Sequence, residues 1–287
     1  MMHPLRALRG VLPAVFLLAA LPAQETSAKE EIQPTNNPFL FRFEHEGVTH
    51  HLFGTIHLPD PRVTTLSKAV NDARKGADAV VLEVDPKEMQ DPGVVMKMMN
   101  MGGTPLQEVI GEDNYKRFET WCQKSQMPAA AIGQMKPWVL ASLIALGDDM
   151  AAAQTGALDV VLGAEAKAQG KEVMALETID LQVKAMDSMG QKIHRMMVVQ
   201  ALDAYFAEDD EENPIEELIK VYLKGDSREF EQISNKGFED KVALAKFNKV
   251  LLTDRNVGMV QGIEKALQEK PKRSLFVAVG AAHIQGK

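Results

Sequence analysis

Two Gly-x-x-His tetrapeptides, Gly54-Thr55-Ile56-His57 and Gly280-Ala281-Ala282-His283, stand near opposite ends of the chain. Each follows a short apolar run that reads as a buried strand: Leu52-Phe53 before the first, Leu275-Phe276-Val277-Ala278-Val279 before the second. A glycine after such a run lets the chain turn sharply or lets another backbone come close. The histidine three residues on then projects from the carboxyl end of the strand, which is where open α/β sheets bind ligands. For both imidazoles to serve one site, an early and a late strand must share a sheet.

The rest of the sequence supplies that sheet. Phe39-Leu40-Phe41-Arg42-Phe43 and Thr49-His50-His51-Leu52-Phe53 flank Glu46-Gly47, the pattern of a β-hairpin. Pro59 and Pro61 then break the chain, and a helix over 65–75, closed by Gly76, leads to the apolar run Ala79-Val80-Val81-Leu82 and the acids Glu83 and Asp85. This strand–helix–strand order is a βαβ unit. Helical patterns follow over 105–124, 137–150 and 158–169, then a buried strand over 171–176 that ends at Glu177. Further helices are expected over 180–207, 214–223, 226–234 and 239–268 before the final strand, 274–279. The expected fold is α/β: a mainly parallel central sheet with an N-terminal β-hairpin and a large helical insertion, forming one domain over 38–287.

Composition narrows the setting. The formal net charge of −8 and a pI of about 5.5 argue against a sequence-independent grip on nucleic acid. The acidic run Glu208-Asp209-Asp210-Glu211-Glu212 reads as a solvated loop, with an acidic binding patch as the alternative. Arg6 and Arg9 precede an apolar stretch over 11–21 that is too short to span a bilayer, and small residues follow. Residues 1–28 therefore read as a signal peptide, cleaved near 23 or 28, and 25–37 as a polar linker. No cysteine near the cleavage region offers a lipid anchor, and no later segment resembles a membrane span. Cys122 is the single cysteine, which excludes an internal disulfide. The expectation is an exported protein of a bacterial periplasm or cell envelope, or a secreted one.

Four polar side chains fall at the carboxyl ends of expected strands: His57, Glu83, Glu177 and His283. Two imidazoles and a carboxylate are a recurring ligand set of zinc and facial-triad metal sites. A divalent ion held there would polarise a carbonyl and acidify a bound water, while a second carboxylate acts as base or orients an imidazole. The competing reading is that these groups satisfy buried backbone and cap turns. Spacing alone leaves both open, because no H-E-x-x-H helix is present. There is no G-x-S-x-G elbow and no phosphate-binding glycine loop. Cys122, beside Trp121 in a helical pattern, reads as buried structure. His45, His50, His51 and His194 read as structural or exposed. The run Met96-Lys97-Met98-Met99-Asn100-Met101 is either an adaptable packing element or a soft contact surface.

The ordered set Gly54-Thr55-Ile56-His57, Glu83-Val84-Asp85, Lys136-Pro137-Trp138, Gly156 to Asp159, Leu176-Glu177-Thr178 to Gln182, Arg255-Asn256 and Gly280-Ala281-Ala282-His283 resembles the TraB/GumN family. That family is grouped with the Tiki-type proteases and is similar to the erythromycin-esterase and ChaN-like superfamily. The resemblance runs from about residue 38 onward. It implies a metal-dependent hydrolase, most directly a peptidase, with a divalent ion (manganese or cobalt favoured, zinc as a third option) held by His57, Glu83 and His283. Glu83, Glu177 and Arg255 are the implied catalytic set, and Arg255 has a structural ion pair as its alternative role. Asp85 and Asp159 are implied supporting residues. The implied partner is a peptide or small-molecule substrate; the alternative is a protein of the same fold that sequesters a peptide or haem without cleaving it. Family members usually continue well past the second Gly-x-x-His, whereas this chain stops at Lys287. That departure raises the expectation of a C-terminal truncation and a loosely held His283.

Overall fold

The computed structural model describes residues 34–58, 60–88, 91–99, 103–146, 157–207 and 214–285. Residues 1–28, expected to be a signal peptide, the acidic run over 208–212, Met101 and Gly156 lie outside the described residues.

The sheet forms as the apolar runs imply. Strand β1 (Leu40–His45) and β2 (Val48–Thr55) make an antiparallel hairpin in the register Leu40↔Phe53 to His45↔Val48. Its two-residue turn, Glu46-Gly47, has positive φ at both positions (49° and 75°), the twist that tight hairpins favour. Strands β3 (Ala79–Leu82), β4 (Glu172–Ala175) and β5 (Leu275–Gly280) add in parallel to β2, in the order β1-β2-β5-β3-β4. The last strand in sequence is thus the middle strand of the sheet. Thr55 pairs with Gly280, and Leu82 pairs with both Ala278 and Ala175, so four carboxyl ends share one edge.

Every residue of β3 and β5 is buried, as expected of parallel strands covered on both faces. Alternation divides them between two cores. Val80, Leu82, Phe276 and Ala278 pack on one face with Phe53, Leu158, Leu162 and Tyr222. On the other face Ala79, Val81, Val277 and Val279 meet Met259, Ala266 and Leu267. The helical insertion has its own core, built around Phe118, Trp121, Trp138, Leu140, Ile144 and Met197.

Several expected helices are broken where a backbone property outweighs the apolar period. The helix expected over 65–75 starts later, as Lys68–Gly76, because Ser67 caps it, and a separate helical turn, Pro61–Thr64, precedes it where Pro61 opens a helix instead of only breaking the chain. Gly111, at φ 83°, divides 105–124 into Leu106–Ile110 and Glu112–Lys124. Gly190, at φ 86°, divides 180–207 into Ile179–Ser188 and Gln191–Tyr205. Helix Pro137–Ala145 is buried on all sides from Pro137 to Ile144, so the apolar face read from sequence is the whole surface. Among the described residues no helix is long and apolar enough to cross a membrane.

Candidate metal centre

Each of the paired glycines has its own steric reason. A Cβ on Gly54 would stand 2.9 Å from Phe39 Cβ and 3.1 Å from Ala281 Cα, so the first unit needs glycine for the close approach of the second. A Cβ on Gly280 would instead stand 3.2 Å from Glu83 Oε1, 3.3 Å from His57 Nε2 and 3.6 Å from His283 Cδ2. The side-chain position that Gly280 leaves open is therefore ringed by the two histidines and the strand-end glutamate. Tyr222, in the helix Pro214–Lys224, donates its hydroxyl to the Gly54 carbonyl at 2.9 Å and pins the turn into the first histidine.

Each imidazole is held through Nδ1. His57 Nδ1 lies 2.6 Å from Asp159 Oδ2, and Thr55 donates its hydroxyl to the other oxygen of Asp159 at 2.9 Å. His283 Nδ1 lies 2.6 Å from Asn256 Oδ1, while Asn256 Nδ2 donates to the His283 carbonyl at 3.1 Å. That second bond assigns the amide's orientation, since only its nitrogen can donate to a carbonyl. Asn256 Oδ1 can then only accept, so His283 carries its proton on Nδ1 and turns a lone pair outward at Nε2. Both Nε2 atoms face the same oxygen, Glu83 Oε1, at 3.7 Å for His57 and 3.8 Å for His283.

Glu83 is held by its remaining contacts. Oε1 accepts from the Gly280 amide at 2.6 Å, and Oε2 accepts from Arg255 Nη2 at 2.6 Å and Gln182 Nε2 at 3.2 Å. Arg255 also grips Glu177 through Nε (3.0 and 3.2 Å) and Nη2 (2.8 Å), and its Nη1 donates to the Leu251 carbonyl at 3.1 Å. A π-helical turn, Lys249–Thr253, interrupts the helical path expected over 239–268 just before Asp254–Glu269. Such turns insert a residue and recur at functional sites. Here the turn immediately precedes Arg255 and Asn256, so consecutive residues reach the acid pair and His283.

Glu83, Glu177 and Arg255 are only 4%, 7% and 7% exposed, and the His283 side chain 4%; the His57 side chain, at 23%, is the imidazole that meets solvent. Burial works against charge on Glu83, but His57 and Arg255 outweigh it and hold the carboxyl well below the usual carboxylate range. Burial also disfavours charge on His57, yet Asp159 and Glu83 together raise it to about 10. His283 goes the other way, to about 4, through burial and through the positive charges of Arg255 and His57.

The structure thus brings His57, Glu83, Asp159, Glu177, Arg255 and His283 into one network. Asp85 is not in it: it accepts from Lys167 Nζ at 2.8 Å and from the Lys87 amide at 3.0 Å. Glu177 faces Arg255 and Gln182, and Arg255 lies in a buried ion pair, the alternative weighed for it. The second Gly-x-x-His hangs from the sheet's middle strand and is clamped by Asn256, so His283 is firmly held. Sequence reasoning gave no role to Asn256, Gln182, Thr55 or Tyr222; the first three stand inside the quoted motifs, and nothing in the sequence pointed to Tyr222. His50 is fully buried, stacks on Phe43 at 4.9 Å and accepts from the Leu275 amide, a structural role. His194 is likewise structural, bonded to the Met186 carbonyl at 2.9 Å.

Among the described residues, no three His, Cys, Asp or Glu side chains are already drawn together as a metal-ligand cluster. The donor set nevertheless suits a divalent ion: two imidazoles tied back through Nδ1 and one carboxylate oxygen face one another across the gap that Gly280 leaves. Two donors on one such ion stand roughly 3.0–3.6 Å apart, so the 3.7 and 3.8 Å separations here need close by only a few tenths of an ångström.

The sequence profile of the TraB/PrgY/gumN family matches residues 39–287. The chain is also similar to Metalloprotease TIKI2 of Danio rerio, with 23% identity over 285 aligned residues that take in 82% of this chain and 54% of that protein. It therefore spans about half the length of that curated relative. No solved structure matches it. A profile match that runs from β1 through the second Gly-x-x-His places this chain in the TraB/PrgY/gumN family.

Proposed function

We propose that the protein is an exported metal-dependent hydrolase that acts on peptides, with His57, Glu83 and His283 as the ligands of a divalent ion. The observation that carries this reading is the pair of facing lone-pair atoms, His283 Nε2 and Glu83 Oε1, buried 3.8 Å apart. Two such atoms repel unless a cation or proton lies between them. The similarity to a protein named a metalloprotease favours the same chemistry.

When bound, the ion would polarise a carbonyl oxygen and bring the pKa of a coordinated water towards neutrality. The chain's own residues prepare the place. Asp159 and Asn256 orient the imidazoles, a support that characteristically tunes metal ligands. Arg255 and Gln182 hold Glu83 Oε2 and leave Oε1 turned towards the histidines. Glu177 fixes Arg255 in turn. The solvent-facing edge of His57 marks the side from which substrate arrives.

The test is the divalent metal content of the purified protein beside that of His57→Ala and His283→Ala. Metal in the wild type and its loss from both variants is expected; equal content in all three removes the reading. Peptides incubated with manganese, cobalt or zinc should acquire new termini, whereas retention of intact peptides would assign the fold a sequestering role instead.

A further inference from the structure

A cleft of about 890 Å³ lies against the second Gly-x-x-His unit, within the range of ligand sites. Phe230, Leu252, Val257 and Val260 line it, and the two valines are 58% and 52% exposed. Asn256 and Ala282 form the wall towards His283, so the residue that clamps this imidazole also faces the cleft. Among the described residues Glu231 is the one charged side chain of the lining.

The lining also contains polar atoms that lack partners. Ser234 is 7% exposed and its Oγ makes no hydrogen bond; both amide atoms of Gln285 are buried and equally unpartnered. Each such group bears the desolvation cost of a hydrogen bond left unmade. A purely aliphatic occupant would leave all three unsatisfied. A polypeptide segment brings an N–H and a C=O with nearly every residue, and rotation of the Gln285 side chain presents its amide to them.

We infer that this cleft binds an uncharged, apolar segment of extended polypeptide: the stretch of a substrate chain beyond the bond at the metal centre. The assignment rests on the peptidase reading for its purpose, but binding is measurable without turnover.

The experiment uses chelator-treated, immobilised protein and a synthetic pool of N-acetylated, C-amidated decapeptides without charged residues. A matched pool with charges at half the positions is the control. Wild type should retain uncharged peptides at least tenfold better than the Val257→Asp/Val260→Asp double variant, whose altered positions are exposed and whose fold is checked by circular dichroism. Retained peptides should slow amide exchange over 227–235 and 254–261. Equal retention by both proteins, or none by either, overturns the inference. Retention that depends on the valines, with no cleavage when manganese is supplied, upholds the cleft and removes the peptidase reading. Cleavage with the same kcat/KM in both proteins removes the cleft and upholds the peptidase.

Discussion

Asn256 holds His283 by two hydrogen bonds of opposite sense, accepting from the ring at 2.6 Å and donating to the backbone carbonyl at 3.1 Å. Neither bond alone fixes which ring nitrogen is left bare; together they do. Asn256→Ala should therefore lower affinity for manganese about 10- to 100-fold, the usual effect of losing such a support. Asn256→Asp keeps the acceptor and should lose less. Isothermal titration of the two variants checks this ordering, and unchanged affinity in the alanine variant would refute it.

The two motif glycines should fail differently. Gly54→Ala forces a methyl against Phe39 and the Ala281 backbone, and should cost about 1–3 kcal/mol in urea unfolding. Gly280 has φ −51° and ψ 135°, which any residue adopts, and its added Cβ would meet side-chain atoms at 3.2 and 3.3 Å and not a carbon at 2.9 Å, so Gly280→Ala, compared with Gly54→Ala, should lose less stability. Its methyl would enter the gap among His57, Glu83 and His283 and remove metal binding. Equal stability losses with metal retained would contradict the assignment.

Cys122 is 1% exposed, and burial raises its thiol to about 11. The thiolate is the reactive form. Native protein at pH 8 should thus give almost no reaction with a chromogenic disulfide, and one thiol per chain should appear in guanidinium. Rapid native labelling would show the helical core around Trp121 to be open.

His194 is held neutral: burial lowers its pKa below 6.5 despite the bond to Met186. A lowered histidine contributes stability that is present above the unfolded value and is lost as pH falls below it through the folded value. The urea midpoint should accordingly drop between pH 7 and pH 5.5, and His194→Gln should flatten that part of the decline. Comparing the two proteins cancels the contribution of every other titrating group. Parallel pH curves would exclude His194 as the source.

Much of this was legible because burial writes itself into composition. The apolar runs of β3 and β5 could only be covered strands, and the polar residues just past them, His57, Glu83, Glu177 and His283, mark the sheet edge that holds the network. Neighbour order was not legible, since parallel strands buried on both faces carry no mark of which strand lies beside which. Gly111 and Gly190 were invisible as breaks because a glycine inside a helical period is ambiguous until its φ is known. The π-helical turn Lys249–Thr253 kept its apolar residues in step with a helix, so the phase that carries Arg255 and Asn256 inward could not be seen. Asn256 itself is an uncharged amide in a helical stretch, a type that signals nothing until the imidazole it meets is placed.

Strand β5 has a consequence for biosynthesis. It is synthesised after the other four described strands, yet it fills the slot between β2 and β3, so those two strands have no direct partner in each other. A growing chain can make the β1–β2 hairpin and much of the helical core, but it cannot bring His57 within reach of a second imidazole. Assembly of that site is thereby deferred until residues 275–283 have been made. Chains interrupted anywhere upstream of residue 275 should be inert, and should present two unpaired apolar strand edges for quality control to recognise.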